Sequence, residues 1–466
     1  MTTRTERDTS GTVEVPAERL WGAQTQRALQ NFAIGNHPMP IEVVRALARI
    51  KAAAARVNRR LGLLDADKAA AIEKAAEEVI EGLHDVEFPL PVWQSGSGTQ
   101  TNMNLNEVIA NRASERLGGP RGDGRLVHPN DDVNRGQSSN DVFPTAMHLA
   151  ALPALDRVAE AARELRDTLA ERSAAFDRIV KVGRTHLMDA VPLTLGQEFS
   201  GYAALMDHGM RRVLDSREPL CEVALGGTAV GTGLNAHPDF ARLVCEDLSR
   251  ETGYSIRPAA NRFAALSANE ALVSAHAAIR SLATSAMKVA NDIRLLASGP
   301  RCGIGEIRIP PNEPGSSIMP GKVNPTQAEA LRMVAARVIG NDVVVGIAGA
   351  GGELELNVMR PVLIHAFLES ARVLADALTS FARRCIAGIE PDPARIRMHL
   401  EQSLMLVTAL ASRIGYDAAA RIAKTAYQTR RSLREAALEQ GLTAEEFDTL
   451  VRPERMVGIE RLNKED

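Results

Sequence analysis

AANRFAALSANEALVSAHAAIRSLATSAMKVANDIRLLAS, residues 259–298, runs for forty residues without a glycine or a proline. Apolar side chains recur in it every three or four positions, a spacing typical of one face of an α-helix. These positions are Leu272, Ala275, Ile279, Leu282, Ala286, Val289, Ile293 and Leu296. A helix over the whole segment would be roughly 60 Å long. Because only six of the forty residues are Asp, Glu, Lys or Arg, we expect it to be buried in a helical bundle that can include other subunits.

Two further segments show helical periodicity, from Leu155 to Ile179 and from Pro325 to about Val345. The sequence therefore predicts an all-α, mainly helical fold with a central bundle of long helices. Near the C-terminus, Asp392 is placed to cap a helix and Pro393 to occupy its first position, which indicates a new helical unit. We predict an N-terminal domain over residues 1–139, a long-helix domain over 140–390 and a small helical domain over 391–466.

Composition excludes several classes of function. The net charge of −3 over 466 residues argues against nucleic-acid binding, which requires a basic surface. No run of eighteen uncharged apolar residues indicates a membrane span, and the polar N-terminus lacks a signal-peptide pattern. We expect a cytoplasmic protein. Its four cysteines are far apart, so we expect them to be reduced and buried. They are Cys221, Cys245, Cys302 and Cys385.

Four polar segments interrupt the helical pattern. They are SGSGTQTNMN (95–104), HPNDDVNRGQSSND (128–141), GRTHLMDA (183–190) and EPGSSIMPGKVNPTQAE (313–329). Loops at the ends of long helices can converge, and their hydroxyl, amide and N–H donors then suit a carboxylate ligand such as a dicarboxylate. Taken singly, each segment can equally be turn chemistry, because Ser, Asn and Gly also cap helices.

The segment 313–329 is the most specific of the four. Its three prolines and two glycines rule out a continuous helix, so an exposed and mobile loop is predicted. The loop carries Ser316, Ser317 and Lys322, and Asn324 precedes the proline that can start the next helix. A cation and two hydroxyls on a mobile loop are typical of a lid that completes an anion site.

Two other patterns support weaker interpretations. GGTAVGTG (226–233) is similar to a phosphate-binding loop, but it lacks the GK[ST] ending and a preceding strand, so a tight turn between helices is favoured. His128 stands near Asp131 and Asp132, but no second histidine is nearby, so no metal site is predicted.

GSSIMPGKVNP (315–325) resembles the signature of the fumarase/aspartase superfamily, whose members eliminate a group from the carbon β to a carboxylate. The polar segments, together with ERLWGAQTQRALQNF (18–32) and GGTAVGTGLNAHP (226–238), resemble class II fumarase from about residue 5 onward. Met188 stands where Gln is expected. The resemblance implies a three-domain fold, a homotetramer with each active site built from three subunits, and no organic cofactor or metal.

The resemblance also implies roles for individual residues in the reversible anti addition of water to fumarate, a step of the tricarboxylic acid cycle. Ser316 would be the general base, Lys322 would stabilise the aci-carboxylate, His186 would hold the reacting water, and Glu329 would orient that histidine. The implied substrate-binding residues are Ser97, Gly98, Thr99, Ser138, Ser139, Asn140, Thr185, Ser317, Lys322, Val323 and Asn324. A second, noncatalytic anion site would comprise Arg125, His128, Pro129, Asn130, Asp131 and Asp132.

Two alternatives compete with this interpretation. Aspartate ammonia-lyase shares the lid and the dicarboxylate substrate, but aspartases typically carry Gln where this chain has His186. A noncatalytic structural protein on the same fold is disfavoured by the intact set of Ser316, Lys322, Asn324, His186 and Glu329.

Overall fold

A computed structural model describes residues 2–458 of the chain. Those residues form long and short α-helices and a few two-stranded sheets, so the prediction of an all-α, mainly helical fold is confirmed. They divide into two compact units. The first contains the residues up to Ala159, Arg211–Ala283 and Ala336–Ala375, and the second contains Glu160–Met210, Thr284–Ala335 and the residues from Asp376 onward. The three-domain division stays a prediction.

Five helices contribute residues to both units. They are α5 (Ser139–Ala175), α6 (Leu195–Asp215), α9 (Glu270–Leu296), α10 (Thr326–Gly349) and α11 (Arg360–Arg384). The helices of the first unit alone are α1 (Ala23–Asn31), α2 (Ile41–Arg60), α3 (Ala66–Ile80), α4 (Thr99–Arg116), α7 (Phe240–Thr252) and α8 (Arg262–Ser267). Those of the second are α12 (Pro393–Gln402), α13 (Thr408–Ile414), α14 (Tyr416–Thr429), α15 (Leu433–Glu439) and α16 (Ala444–Leu450). Among helices of the described residues, none is both long and apolar enough to cross a membrane.

The strands pair only two by two. The antiparallel pairs are β1 (Thr3–Asp8) with β2 (Gly11–Pro16), β3 (Val180–Thr185) with β4 (Met188–Thr194), β7 (Ile307–Arg308) with β10 (Glu390–Pro391), and β8 (Gly352–Glu353) with β9 (Leu356–Asn357). The one parallel pair in this part of the chain is β5 (Glu222–Val223) with β6 (Arg257–Pro258). Short 3₁₀ turns occupy Asp85–Glu87, Pro219–Cys221, Ile386–Gly388, Leu404–Val407 and Pro453–Met456, and a π turn occupies Pro129–Val133.

The prediction of one helix over 259–298 is wrong in its first part. The chain forms the short helix α8, passes through an extended Ala268, and only then begins α9 at Glu270. In a continuous helix the carbonyl of Leu266 would accept a hydrogen bond from residue 270. Here it accepts one from the Arg360 guanidinium at 2.6 Å instead. A long-range contact that local periodicity does not reveal therefore interrupts the helix.

The other predicted helices are present with adjusted ends. The segment predicted from Leu155 to Ile179 lies mostly in α5, which begins at Ser139 and ends at Ala175, because β3 starts soon afterwards at Val180. The third long helix is confirmed as α10. Asp392 caps α12 as predicted, since its side chain accepts a hydrogen bond from the Arg395 backbone at 3.0 Å.

Three of the four cysteines are buried as predicted, but Cys302 is exposed. It lies in the irregular segment between α9 and β7, whereas the other three lie within or next to helical segments. The prediction that all four cysteines are buried is therefore wrong for Cys302.

Helix α10 has apolar side chains on two sides. One face is buried, with Leu331 and Val338 among its side chains. The other side carries Met333, Val343 and Ile347, whose side chains are 69%, 60% and 61% exposed. A run of exposed apolar residues along one helix is typical of an interaction surface.

The turn before α4 depends on a glycine. Gly98 has φ +77° and precedes the first residue of the helix. A Cβ atom at this position would lie 2.3 Å from the ring of Phe143 on α5. The close approach of the turn to α5 therefore requires a residue without a side chain, as well as the left-handed conformation that glycine adopts most easily.

We predict that Gly98→Ala destabilises the protein much more than Gly118→Ala. Gly118 has a similar φ of +80° but open space around it, so that variant loses only the backbone preference, about 1–2 kcal/mol. Gly98→Ala adds overpacking against Phe143, which costs roughly a further 1–3 kcal/mol. Thermal unfolding followed by circular dichroism measures the difference. Equal melting temperatures for the two variants would show that Phe143 imposes no constraint here.

Candidate functional site

The segment 95–104 forms a hydroxyl-rich turn at the start of α4. Ser97 is buried, and its Oγ lies 2.7 Å from the Oγ1 of Thr99. The backbone of Gly96 is packed against the chain near α11, since its carbonyl accepts a hydrogen bond from the Arg360 N–H at 3.0 Å. The turn is therefore fixed, and the first N–H groups of a helix, which have no partners within the helix, follow it.

A buried carboxylate holds the next predicted segment. Asp141 accepts hydrogen bonds from the backbone N–H groups of Ser138 at 2.9 Å, Gly226 at 2.9 Å and Thr228 at 3.0 Å. Burial raises the pKa of Asp141, while the three N–H donors oppose this by favouring the ionised form. The turn 226–233, predicted as a tight turn, therefore serves to hold the 138–140 segment.

Two other side chains fix the remaining residues of that segment. Asn102 on α4 donates from Nδ2 to the Ser139 Oγ at 2.8 Å. The Arg360 guanidinium donates to the Asn140 carbonyl at 2.8 Å, and the Asn140 amide donates to the Ala229 carbonyl at 2.9 Å. Within the first unit, the structure thus brings the predicted residues of 97–99 and 138–140 together across α4.

A buried lysine is linked to the 138–140 segment by hydrogen bonds. Lys51 on α2 is fully buried, and its Nζ donates to the Asn134 Oδ1 at 2.8 Å and to the Gln137 Oε1 at 3.0 Å. Burial lowers the pKa of Lys51 to about 7, and the nearby charge of Asp141 opposes this only in part. The same Asn134 oxygen also accepts from Asn102 at 3.3 Å, which links the lysine to the 138–140 segment.

The cation of the predicted second anion site is already paired. The Arg125 guanidinium lies 3.2 Å from the carboxylate of Glu6, which is fully buried, and 3.3 Å from the Asn111 Oδ1. Pro129, another predicted member, is buried at the start of the π turn.

The other residues of that site stabilise their own turn. The Nδ1 of His128 accepts hydrogen bonds from the N–H groups of Asn130 at 3.3 Å and Asp131 at 3.1 Å. The carboxylate of Asp132 accepts from the His128 backbone and pairs with Lys68 at 2.8 Å. In residues 2–458 no three His, Cys, Asp or Glu side chains are grouped so that they could hold a metal ion.

In the second unit, Thr185 and His186 lie at the tip of the β3–β4 hairpin. His186 and Leu187 form the turn, with φ of +58° and +63°. Their side chains and that of Met188 are exposed. The left-handed turn presents the imidazole outward, where a ligand can reach it.

Buried charges anchor this hairpin. The carboxylate of Glu306, fully buried, lies 2.7 Å from Arg184 and 3.1 Å from Lys181, both on β3, and 3.2 Å from His399 on α12. Burial opposes ionisation of Glu306, but the hydrogen bond from Arg184 and the charge of Lys181 outweigh it and lower its pKa. Arg184 precedes His186 by two residues, so this network fixes the base of the turn that carries the histidine.

The predicted loop is a self-contained turn between β7 and α10. The Gly315 N–H donates to the Lys322 carbonyl at 2.9 Å, and the Asn324 amide donates to the Gly315 carbonyl at 2.5 Å. The side chains of Ser317, Lys322 and Val323 are exposed. The prediction of an exposed loop is confirmed. The Asn324 side chain joins the two ends of the loop through its hydrogen bond to Gly315.

Ser316 is half-buried within that loop. Its Oγ accepts hydrogen bonds from the N–H groups of Ile318 at 3.2 Å and Met319 at 3.1 Å. Such donors favour the ionised form of the group that they contact. The loop backbone therefore already directs two donors at the predicted base.

A cavity of about 1000 Å³ in the second unit borders the loop and is lined by Lys322, Val323, Asn324, Glu329 and Arg294, among others. Four predicted site residues are thus brought together here. Within the described residues, no hydrogen bond or ion pair joins Glu329 to His186, so their predicted pairing stays a prediction.

The buried charges were not predicted from the sequence. Lys51 occupies the same helical face as Leu47 and Ala54, and a lysine within an apolar stripe is a signal that could have been noticed. Asp141 ends the polar segment 128–141, where an aspartate is as typical of a turn as of a buried charge. Arg360 has no local signal, because its partners are backbone carbonyls distant in sequence.

Comparison with known proteins gives the family. The Lyase family model matches residues 11–340, and the Fumarase C C-terminus family matches residues 406–458. A Ralstonia nicotianae protein named fumarate hydratase class II is 62% identical over 460 residues, covering 98% of this chain and 100% of that protein. A Yersinia pestis protein of the same name is 58% identical over 459 residues, covering 98% of this chain and 99% of its own length.

A solved structure agrees with the sequence relatives. The crystal structure of recombinant class II fumarase from Schistosoma mansoni matches with a TM-score of 0.96 and 42% identity, covering 98% of this chain and 99% of that one. The predicted fumarase/aspartase-like fold is therefore confirmed, and the aspartate ammonia-lyase alternative is not favoured. The chain belongs to the lyase family and, within it, to the class II fumarate hydratases.

Proposed function

We propose that this chain catalyses the reversible anti addition of water to fumarate, giving (S)-malate. The observation that carries the proposal is the 62% identity to a protein named fumarate hydratase class II over 98% of the chain. No organic cofactor or metal enters the proposal. The reverse reaction removes a proton from C3 of malate and hydroxide from C2, which leaves as water.

The difficult step is the loss of a weakly acidic proton next to a carboxylate. The electron pair of the broken C–H bond moves into that carboxylate and forms a doubly negative aci-carboxylate. Preorganised donors stabilise such charge by roughly 3–4 kcal/mol for one well-placed hydrogen bond. We assign this role to Lys322 and Asn324, with the hydroxyls of Thr99, Ser138 and Ser139 and the amide of Asn140 binding the substrate.

Ser316 is the proposed general base. A serine hydroxyl is too weak an acid to ionise at neutral pH without help. The hydrogen bonds from Ile318 and Met319 supply part of that help, since both N–H groups stabilise negative charge on its Oγ. Lys322, on the same loop, supplies a positive charge.

His186 is proposed to hold the water that adds or leaves, with Glu329 orienting its imidazole and Thr185 donating to a substrate carboxylate. The exposure of His186 at a hairpin tip supports this role, because a reacting water has to reach the ring. Ser97, Gly98, Ser317 and Val323 complete the proposed substrate-binding set. The second anion site stays a prediction, and an anion there has to compete with Glu6 for Arg125.

We further propose a cytoplasmic homotetramer in which each active site takes residues from three subunits. The exposed apolar face of α10 supports the assembly, because Met333, Val343 and Ile347 would lose contact with water in a helical interface.

An ultraviolet assay tests the proposed reaction. Purified protein offered malate is expected to produce absorbance from fumarate, and the same protein offered aspartate is expected to produce none. Absorbance that rises only with aspartate would assign an ammonia-lyase instead. Heat-inactivated protein serves as the control for contaminating or uncatalysed reaction.

We predict that Ser316→Ala and Lys322→Met each lower kcat for malate by at least about 100-fold, because they remove the base and a charge that stabilises the intermediate. Both residues are in an exposed loop, so folding should be unaffected. Ser412→Ala, a change at an exposed serine on α13, is the matched control for the first variant. Near-normal turnover in Ser316→Ala would remove this residue as the base.

We predict that Val343→Arg on α10 shifts the protein from tetramer to smaller species. A buried, unpaired guanidinium in an interface costs several kcal/mol. Val86→Arg makes the same change at a valine outside α10 that is at least as exposed, 71% against 60%, and should leave the assembly intact. Light scattering coupled to size exclusion gives the masses, and an unchanged tetramer in Val343→Arg would contradict the assignment of this face.

A further inference from the structure

Three fully buried charged side chains contact the 138–140 segment directly or through one or two intervening side chains. They are Lys51, Asp141 and Arg360. Asp141 is the charged neighbour of both cations. With both cations protonated and Asp141 ionised, the cluster carries a net charge of +1.

The two cations contact only neutral groups. Lys51 donates to the side-chain oxygens of Asn134 and Gln137, and Arg360 donates to the carbonyls of Asn140 and Leu266. Within residues 2–458, no carboxylate forms an ion pair with either cation. The one anion of the cluster is itself held by backbone N–H groups rather than by a direct ion pair.

An excess of buried positive charge is costly, because a charge taken out of water normally requires a partner. The remaining polar atoms of the cluster do not supply one. The Oδ1 atoms of Asn102 and Asn106, both on α4 and both buried, have no hydrogen-bond partner. Loss of the Lys51 proton relieves this cost in part, since burial lowers its pKa to about 7, and a negatively charged ligand at the 138–140 segment would relieve it further.

We propose that Lys51 and Arg360 are specificity-determining residues that make the 138–140 segment prefer a doubly charged ligand over a singly charged one of the same shape. The proposal rests on the proposed function, since it assumes that this segment binds a dicarboxylate. Neither cation touches the ligand. Each acts through the field of its charge and through the groups that it holds.

The connection from Lys51 to the segment is short. Its amine holds Asn134, the Asn134 oxygen accepts from Asn102, and Asn102 donates to the Ser139 hydroxyl. In the low-dielectric interior the charge of Lys51 is screened much less than a charge at the surface. Removing it should weaken binding in proportion to the ligand's charge.

Inhibition by two ligands of one shape tests this inference. Succinate and succinamate are saturated four-carbon acids with two and one negative charges, and neither can undergo the elimination. Their inhibition constants against malate are measured for the wild-type protein, Lys51→Met, Lys51→Gln and Lys74→Met. Because burial lowers the pKa of Lys51 to about 7, the assay is run at pH 6.5, where most of the amine is protonated.

The three variants separate charge from hydrogen bonding. Lys51→Met removes both, whereas Lys51→Gln removes the charge but keeps an N–H donor near Asn134. Lys74→Met removes the same charge from an exposed position on α3 and is the matched control. Damage to the fold alone would weaken the binding of both inhibitors by the same factor. The ratio of the two inhibition constants therefore reports the effect of the Lys51 charge.

In wild-type protein we expect succinate to bind more tightly than succinamate. In Lys51→Met and Lys51→Gln this preference should fall about three- to tenfold, with no change in Lys74→Met. An unchanged ratio in either Lys51 variant that still turns over malate would overturn the inference. If wild-type protein neither turns over malate nor binds succinate, the proposed function fails instead.

Discussion

The buried carboxylate of Asp141 is the contact on which the first unit's candidate site depends. It accepts backbone hydrogen bonds from the 138–140 segment and from the 226–233 turn, two parts of the chain that are distant in sequence. A carboxylate can do this because each oxygen accepts more than one donor, and backbone N–H groups at the start of helices and turns otherwise lack partners. The segment 138–140 is thereby fixed largely through its backbone. The hydroxyl oxygens of Ser138 and Ser139 accept hydrogen bonds from the Asn140 N–H and from Asn102, and each hydroxyl still carries a proton that it can donate.

The conformation of the loop 313–325 is stabilised by internal hydrogen bonds instead of a buried charge. The loop has no buried charge of its own, and its short internal hydrogen bonds between Gly315, Lys322 and Asn324 close it as a unit. The geometry of residues 315–324 is therefore set mainly within the loop, while Glu313 is hydrogen-bonded to the Thr326 hydroxyl at the start of α10. The two N–H donors of Ser316 belong to the same loop, so a movement of the loop as one body would leave them in place. Under the proposed function, the base is activated by the loop itself and only its position has to change.

The local parts of this molecule could be predicted from the sequence, and the long-range parts could not. Helix α10, the cap at Asp392 and the exposed loop follow from periodicity, capping and proline content, which act over a few residues. The break before α9 was missed because it is made by Arg360, a residue about ninety positions away. For the same reason the charge cluster of Lys51, Asp141 and Arg360 was missed, since each partner reads as ordinary within its own segment. The site residues named by resemblance were found as motifs, but their supporting residues carry no motif.

Under the proposed function, the placement of positive charge has a kinetic consequence. Fumarate and malate are both dianions, and the intermediate between them carries one further negative charge. A buried cation such as Lys51 attracts the substrate and the intermediate alike, so most of its effect is uniform binding, which lowers KM more than it raises kcat. Donors that meet the extra charge as it forms, such as Lys322 on its loop, act on kcat. Lys51 and Arg360, which are fixed and do not touch the ligand, therefore select a dianion. Lys322, on the loop, stabilises the negative charge that the reaction creates.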